Sequence, residues 1–396
     1  MFNWISQTIA VTALNLRTIP QRLGSSGVAI VGIAGVVIVL VSVLSIAAGF
    51  TAAMRDSGSP TRAIVMRSGA DSEMTSGLSG PEVDVIKQAA GIRRDGQIPL
   101  ASAELYVVID LPKKSTNTSA NVPMRGVDRV APQVRDEASI VEGRMFEFGT
   151  NEIIVGRGAS RQFAGLTVGN ELRSGQNTWK VVGVFEANGG IAETELWCDV
   201  RVLQGAYRRG NTYQIVLARL DSSDGFNTFR DALTSNPQVN VQVRRETEYY
   251  AQQSRTLSSL IQGVGFGIAA LMGIGAVFGA ILTMYTAVST RSREIATPRA
   301  LGFNTTSVVI SVLAESLVLA AIGGVIGGLA AYLGFNGYQT STMNFQTFSQ
   351  VAFAFRVTPQ LLVLGLVYAL LMGLVGGLFP AIRAARLPIP TALREL

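Results

Sequence analysis

Side-chain chemistry needs nucleophiles, bases or metal ligands, and this chain is poor in all three. Histidine is absent from its 396 residues, and Cys198 is the single cysteine. The commonest general base, pH switch and metal ligand is thereby missing. No internal disulfide can form, and Cys198 reads as a small buried apolar residue. No paired carboxylates, metal-ligand spacing or nucleophile–base set occurs, and no Gly-x-x-x-x-Gly-Lys-Ser/Thr loop, so neither hydrolysis nor the usual mode of nucleoside triphosphate binding is expected of these residues. What stands out instead is Arg-Ser-Arg-Glu-Ile-Ala-Thr-Pro-Arg-Ala-Leu-Gly-Phe at 291–303, set between apolar runs. There is no charge from Thr256 to Thr290, and Glu315 is the only one from Ala300 to Phe355. Arg291, Arg293, Glu294 and Arg299 are suited to charge-assisted hydrogen bonds with a protein groove. Glu315 is costly inside a span and calls for a partner or a function. Without a histidine or a second acid beside it, a neutral carboxyl, a hydrogen bond to another helix or snorkelling to the cytoplasmic edge is the reading, ahead of proton relay.

These residues have to be placed by the elements around them. A net charge of +6 with 48% hydrophobic residues is a membrane-protein balance, moderate enough to leave a large aqueous part. The arginines flank apolar runs, where they orient a protein in a bilayer, so nucleic acid is not an expected partner. Residues 1–27 carry Trp4, Ile5, Ile9, Ala13, Leu14 and Leu16 at helical spacing, followed by Arg17, Pro20 and Arg22. This reads as an amphipathic helix along the cytoplasmic lipid surface, with Trp4 at headgroup depth, and not as a secretory signal. About 20 apolar residues cross a bilayer. Spans are expected at 28–50, 256–288 (with a stalk), 305–335 and 361–380. A charged segment at 289–304, an outside loop at 336–360 and a basic tail at 381–396 complete the map. The basic segments all fall on one side, which places both termini in the cytoplasm.

Residues 51–255 hold most of the acids and many turn formers. Arg62–Arg67 and Leu105–Leu111 read as strands, with a helix from Pro81 to Ala90 between them. From Pro123 the texture turns to β, through Glu152–Val155, Val168–Leu172 and Trp179–Phe185. Thr212–Leu220 and Val239–Val243 are strands flanking a helix at Gly225–Leu233. Glu246–Gln253 turns helical and leads into the membrane. The order α/β, then β, then α/β implies a β subdomain inserted in an α/β one.

The central segment, followed by Leu-Ala-Glu-Ser-Leu-Val-Leu and Gly-Gly-x-x-Gly, resembles the membrane signature of the MacB/FtsX/LolC–LolE group of ABC-transporter permeases. The ending Gly-Leu-Phe-Pro-Ala-Ile-Arg-Ala-Ala-Arg-Leu is similar to that group's C-terminus. Gly143–Phe185, with Glu-Ile-Ile-Val-Gly, Leu-Thr-Val-Gly and Trp-Lys-Val-Val-Gly-Val-Phe, is similar to its outer core domain. The resemblance implies four transmembrane helices and a large periplasmic α+β domain in a bacterial inner membrane. A porter-like subdomain (51–120 and 212–250) would be split around a sabre-like one (121–211). It further implies that 291–303 is a coupling helix seated in a cytoplasmic ATPase, with Ile295, Pro298 and Leu301 joining Arg291, Arg293, Glu294 and Arg299 in the contact. Pro298 departs from the Leu or Met usual there, and suggests two short helices, one ending near Ala296 and one starting at Pro298.

The implied function is a non-catalytic permease subunit of an exporter. It would bind no cofactor itself, ATP and magnesium belonging to a separate ATPase. A second permease copy or relative, a periplasmic adaptor, an outer-membrane channel and membrane lipid are the implied partners. Lipoprotein release, and an FtsX-like scaffold that activates a cell-wall hydrolase, are the alternatives. The glycines of the second and third spans permit close packing, either between copies or within one chain.

Overall fold

The computed structural model describes residues 2–17, 23–289, 292–302, 304–344, 347–386 and 388. The helices that matter for function are α1 (Phe2–Arg17), α2 (Leu23–Asp56), α3 (Glu246–Ser289), α4 (Ser292–Ala300), α5 (Thr305–Phe335) and α6 (Pro359–Arg386). Among the described residues, α2, α3, α5 and α6 are long and apolar enough to cross a membrane. Asn304 caps α5, its side chain accepting from the Thr306 amide at 3.2 Å. The chain divides into a helical unit (Met1–Ala48, Ser259–Tyr338, Phe355–Leu396) and an α/β unit (Gly49–Ser258, Gln339–Ala354). Both α2 and α3 run through that division without a break. The 44 residues of α3 make a rod of roughly 66 Å. That is about twice a hydrocarbon core, and its first turns, from Glu246 to Ser258, belong to the α/β unit.

In the helical unit, small residues let helix axes close up. A Cβ on Gly327 of α5 would stand 2.6 Å from the Ala34 carbonyl oxygen of α2, and one on Gly377 of α6 would stand 2.6 Å from Ser316 Cβ of α5. The glycines of α5 therefore serve packing within one chain. Ser316 Oγ also donates to the Gly373 carbonyl at 2.6 Å.

Three sequence expectations change here. Helix α1 packs on α5 through polar side chains: Thr8 shares a hydrogen bond with Ser307 at 3.0 Å, and Asn15 Nδ2 donates to Ser311 Oγ at 2.5 Å. Half of its pattern thus answers to a neighbouring helix. The side chain of Trp4 lies outside the described residues. The fourth span does not stop at Pro380, which sits buried inside α6 as the helix continues to Arg386. A proline costs one backbone hydrogen bond, which a packed membrane helix can redistribute to its surroundings. Residues 336–360 contain a hairpin, described below.

The α/β unit is strung on one sheet. Its strands are β1 (Arg62–Arg67), β2 (Ala101–Pro112), β3 (Ser119–Val127), β4 (Ser139–Gly143), β5 (Glu152–Gly156), β6 (Glu171–Ser174), β7 (Asn177–Glu186), β8 (Leu196–Asp199), β9 (Ile215–Arg219) and β10 (Val241–Arg245). Their order is β10-β1-β9-β2-β3-β8-β5-β7-β4, with β6 paired to β7. Strand β2 links two cores. Ala101–Glu104 pairs with β9, and Leu105–Pro112 pairs with β3. The first core buries Val65, Ile86, Val216, Phe229 and Val243. It is covered by helix Gly80–Gln88, which opens on a Ser79/Glu82 capping box, and by helix Gly225–Thr234. The second buries Leu105, Val107, Ile109, Trp179, Leu196 and Cys198. The boundary between the cores therefore lies at Glu104–Leu105 inside one strand, upstream of the expected 120/121 division. Strands β11 (Gln339–Asn344) and β12 (Ser349–Ala354) form the hairpin that replaces the expected loop. It joins this unit through the Ala352 amide, which donates to Thr194 Oγ1 at 2.8 Å, and through Tyr106 Oη, 2.9 Å from Ser349 Oγ.

Candidate functional site

The charged segment after α3 is one helix, α4, continuous from Ser292 through Pro298 to Ala300. The expected break at Pro298 does not occur. Capping bonds follow it directly: the Leu301 amide donates to the Thr297 carbonyl and the Gly302 amide to that of Arg299, each at 3.1 Å. Gly302 takes a φ of +91°, a left-handed stop suited to glycine.

Side chains divide by face. Ile295 is buried with Met284 and Val288 of α3, Val308, Val312 and Leu319 of α5, and Ala381 and Ala384 of α6. It fixes α4 to the bundle, and this corrects the expectation that it faces a partner. Ala296 is buried beside it. Leu301, at 75% exposed, points away from the bundle, and Arg299 is half-buried. Arg291 lies outside the described residues, as do the side chains of Arg293, Glu294 and Pro298. Glu315 is buried in α5, one and two helical turns beyond the Ser311 and Ser307 that receive α1.

The other end of α3 carries a feature that no sequence motif announced. Glu246, its first residue, is fully buried and takes two hydrogen bonds on Oε2, from Arg62 Nε at 2.6 Å and the Ser59 amide at 2.8 Å. Arg62 begins β1 and also donates to the Val134 carbonyl at 3.2 Å and to Glu137. Behind this pair lies Arg125 of β3. Its Nε and Nη2 fork onto Glu195 at 2.7 Å each, while Nη1 reaches Glu73 at 2.6 Å and Glu104 at 2.9 Å. Arg135 holds Glu104 from the other side at 2.8 Å. Trp197 Nε1 donates to Glu195 at 2.8 Å, and the Tyr249 hydroxyl of α3 accepts from the Glu73 amide at 3.1 Å. Glu104 sits where β2 changes partners, so the cluster ties both cores to the first turns of α3. Burial pushes Glu246 and Glu73 above the ordinary glutamate range, more strongly than the nearby arginines pull them down. Burial lifts Glu104 as well, but Arg135 and Arg125 together hold it below that range.

A catalytic set does not emerge. Among the described residues there is no group of three or more Cys, Asp or Glu able to hold a metal. The cavity lined by Asp128, Arg129, Phe148, Asp199 and Arg201, about 380 Å³, has no nucleophile–base pair; Asp199 is occupied in capping, accepting from the Arg201 and Gly149 amides at 2.7 Å each.

Residues 26–236 match the model of the MacB-like periplasmic core domain, and residues 266–389 that of the FtsX-like permease C-terminal domain. The chain belongs to the MacB/FtsX family of ABC-transporter permeases. It is 25% identical over 408 residues to the macrolide export ATP-binding/permease protein MacB of Azoarcus sp., covering 98% of this chain and 60% of that protein. It is 25% identical over 300 residues to the MacB of Bdellovibrio bacteriovorus, covering 70% of this chain and 44% of that one. The chain thus spans about half the length of the curated relatives it matches. Among solved structures, the periplasmic region of MacB from Actinobacillus actinomycetemcomitans is similar at 10% identity and a TM-score of 0.38, covering 50% of this chain and 95% of that one. By the match over residues 26–236, most of the α/β unit is the MacB-like periplasmic core domain of a membrane permease.

Proposed function

We propose that this permease transmits the motion of a separate cytoplasmic ABC ATPase to its periplasmic domain, as part of an export assembly. The observation that carries the reading is the continuity of α3 from the buried Glu246 to Ser289, next to an α4 whose Ile295 is locked into the bundle. A push on α4 travels, on this reading, along α3, whose first turns carry the charge cluster that joins both cores of the periplasmic domain. Leu301, Arg299 and the charged side chains Arg291, Arg293 and Glu294 are the proposed contacts with the ATPase. Glu315 is proposed as a packing and transmission residue.

On this reading substrate is handled outside the membrane and does not pass through the permease. A second permease copy or relative, a periplasmic adaptor and an outer-membrane channel complete the proposed assembly, with both termini of this chain on the cytoplasmic side. ATP and magnesium belong to the ATPase. The test is co-purification with the cognate ATPase, together with transport. Arg293→Ala with Glu294→Ala is expected to abolish association, or to leave hydrolysis running without transport. Unchanged association and unchanged transport would reject the assignment.

A further inference from the structure

Strands β3 and β8 lie side by side and parallel, Met124 opposite Leu196 and Val127 opposite Asp199, so their carboxyl ends are level. Beyond those ends the chain parts. After β3, Ala131 packs with Val127, Ile154 and Trp197 on one face of the sheet. After β8, Val200 and Leu203 pack with Leu196 and Cys198 on the other. Trp197 and Cys198, as successive strand residues, point to those opposite faces. Parallel neighbours whose continuations leave to opposite faces open a crevice at their carboxyl ends, which is where open α/β sheets take ligands. Here the crevice is the cavity of about 380 Å³ that Val127 and Asp199 line. Small-molecule sites measure about 300–1,000 Å³.

The charges on the cavity wall are unevenly committed. Asp199 accepts from the Arg201 amide on Oδ1 and from the Gly149 amide on Oδ2. Asp128 accepts from the Arg129 amide on Oδ1 at 2.7 Å and from Lys87 Nζ on Oδ2. Every carboxylate oxygen on the wall therefore has its donor. The two arginines differ. Among the described residues, no hydrogen bond or ion pair reaches the guanidinium of Arg129 or of Arg201. Arg129 lies over the Phe148 ring, 5.7 Å from its centroid. A guanidinium offers a fork of donors that matches a carboxylate or a phosphate. Phe148, Val127 and Val200 set an apolar wall beside it.

We propose that this cavity binds a small organic anion, with Arg129 and Arg201 on its charged end and Phe148 against its apolar part. The site belongs to the periplasmic domain alone. It goes beyond the coupling reading, which neither requires it nor is required by it.

The experiment uses the full-length permease in neutral detergent, with no ATPase and no nucleotide, so the fate of the coupling reading does not touch it. Phenyl phosphate and benzoate are titrated calorimetrically at low salt, against protein-free micelles. Benzyl alcohol and inorganic phosphate serve as the neutral and the purely ionic halves of the probe. One saturable site per chain is expected for at least one of the two aromatic anions, and neither half should bind as tightly. Arg129→Gln and Arg201→Gln should each weaken that anion about tenfold, the loss of one charge-assisted hydrogen bond. Phe148→Leu should weaken the aromatic anion while leaving inorganic phosphate unchanged. Arg173→Gln, at an exposed arginine of β6 outside the cavity, should change nothing. Arg129 and Arg201 are exposed as well, so unfolding midpoints equal to wild type are expected in all three arginine variants. No saturable binding of either aromatic anion would overturn the proposal. So would binding untouched by both Arg129→Gln and Arg201→Gln, or weakened as much by Arg173→Gln.

Discussion

Gly58 lies directly on Thr247: a Cβ at Gly58 would stand 2.8 Å from Thr247 Cα and 2.9 Å from its amide nitrogen. The chain leaving α2 and the first turn of α3 thus touch backbone to backbone. A few residues on, Thr51 and Ser258 share a hydrogen bond at 2.7 Å. The two helices that enter the periplasmic domain are stitched together at its base.

Gly58→Ala is expected to destabilise the domain by about 1–3 kcal/mol, the usual cost of overpacking a site that cannot yield. Gly205→Ala is the control, because nothing lies within 4 Å of the new methyl and the residue is inside helix Val200–Ala206. There a gain of roughly 0.5 kcal/mol is expected from helix propensity. Denaturant midpoints of the two variants, measured on the full chain, decide it.

Arg125 is a second point of dependence. Replacing it with Met would leave Glu73, Glu104 and Glu195 buried without their shared cation, at a cost of about 3–5 kcal/mol. Glu104 is held below its ordinary value in the wild type, so its contribution is present above about pH 4.5 and drains away as pH falls through the lower folded value. The deficit of Arg125→Met is therefore expected to be largest at neutral pH and to shrink on acidification. Unfolding midpoints at pH 7 and at about pH 3 would show it; an equal deficit at both would contradict the charge argument.

Local signals account for what the sequence disclosed. Charge-free runs announced the four apolar helices, and short β-prone apolar runs announced strands such as β1 and β7. The family match carried the rest of the architecture. The core boundary stayed hidden because Ala101–Pro112 is one unbroken β pattern; which neighbour each half pairs with is a long-range matter. The hairpin Gln339–Ala354 stayed hidden for a related reason. Its strands are short and polar, and Ser349, Val351 and Phe353 alternate only with respect to a surface supplied from elsewhere in the chain.

The charge cluster was least legible. Glu73, Glu104, Arg125, Glu195 and Glu246 are dispersed along the periplasmic part of the chain, and no spacing relates them. A weaker signal existed: Arg125 is the lone charge of β3, and Glu104 stands in β2 directly before the apolar run Leu105–Ile109, where a charge needs a buried partner. At α4, the residue types marked the segment, but only packing reveals that Ile295 turns inward and Leu301 outward.

That split makes a prediction with two readouts. Ile295→Ala removes the anchor of α4 and is expected to lower the thermal midpoint of the purified permease, at about 2 kcal/mol or more, and to weaken ATPase co-purification as a consequence. Leu301→Asp changes an exposed side chain and is expected to leave the midpoint within about 0.5 kcal/mol of wild type while reducing co-purification. If Leu301→Asp lowers the midpoint as much as Ile295→Ala, the assignment of faces is wrong.

The topology is open to a direct test, because the native thiol is silent: Cys198 is fully buried in the second core. A cysteine introduced at the exposed Ser222 of the periplasmic domain should react with a membrane-impermeant maleimide in intact spheroplasts. One introduced at Ser292, at the start of α4, should react only after permeabilisation. The positive-inside bias of the basic segments dictates this result, and the coupling reading requires it, since α4 can meet an ATPase only where ATP is. Labelling at Ser292 and protection at Ser222 would invert the map and, with it, the proposed direction in which α3 carries motion.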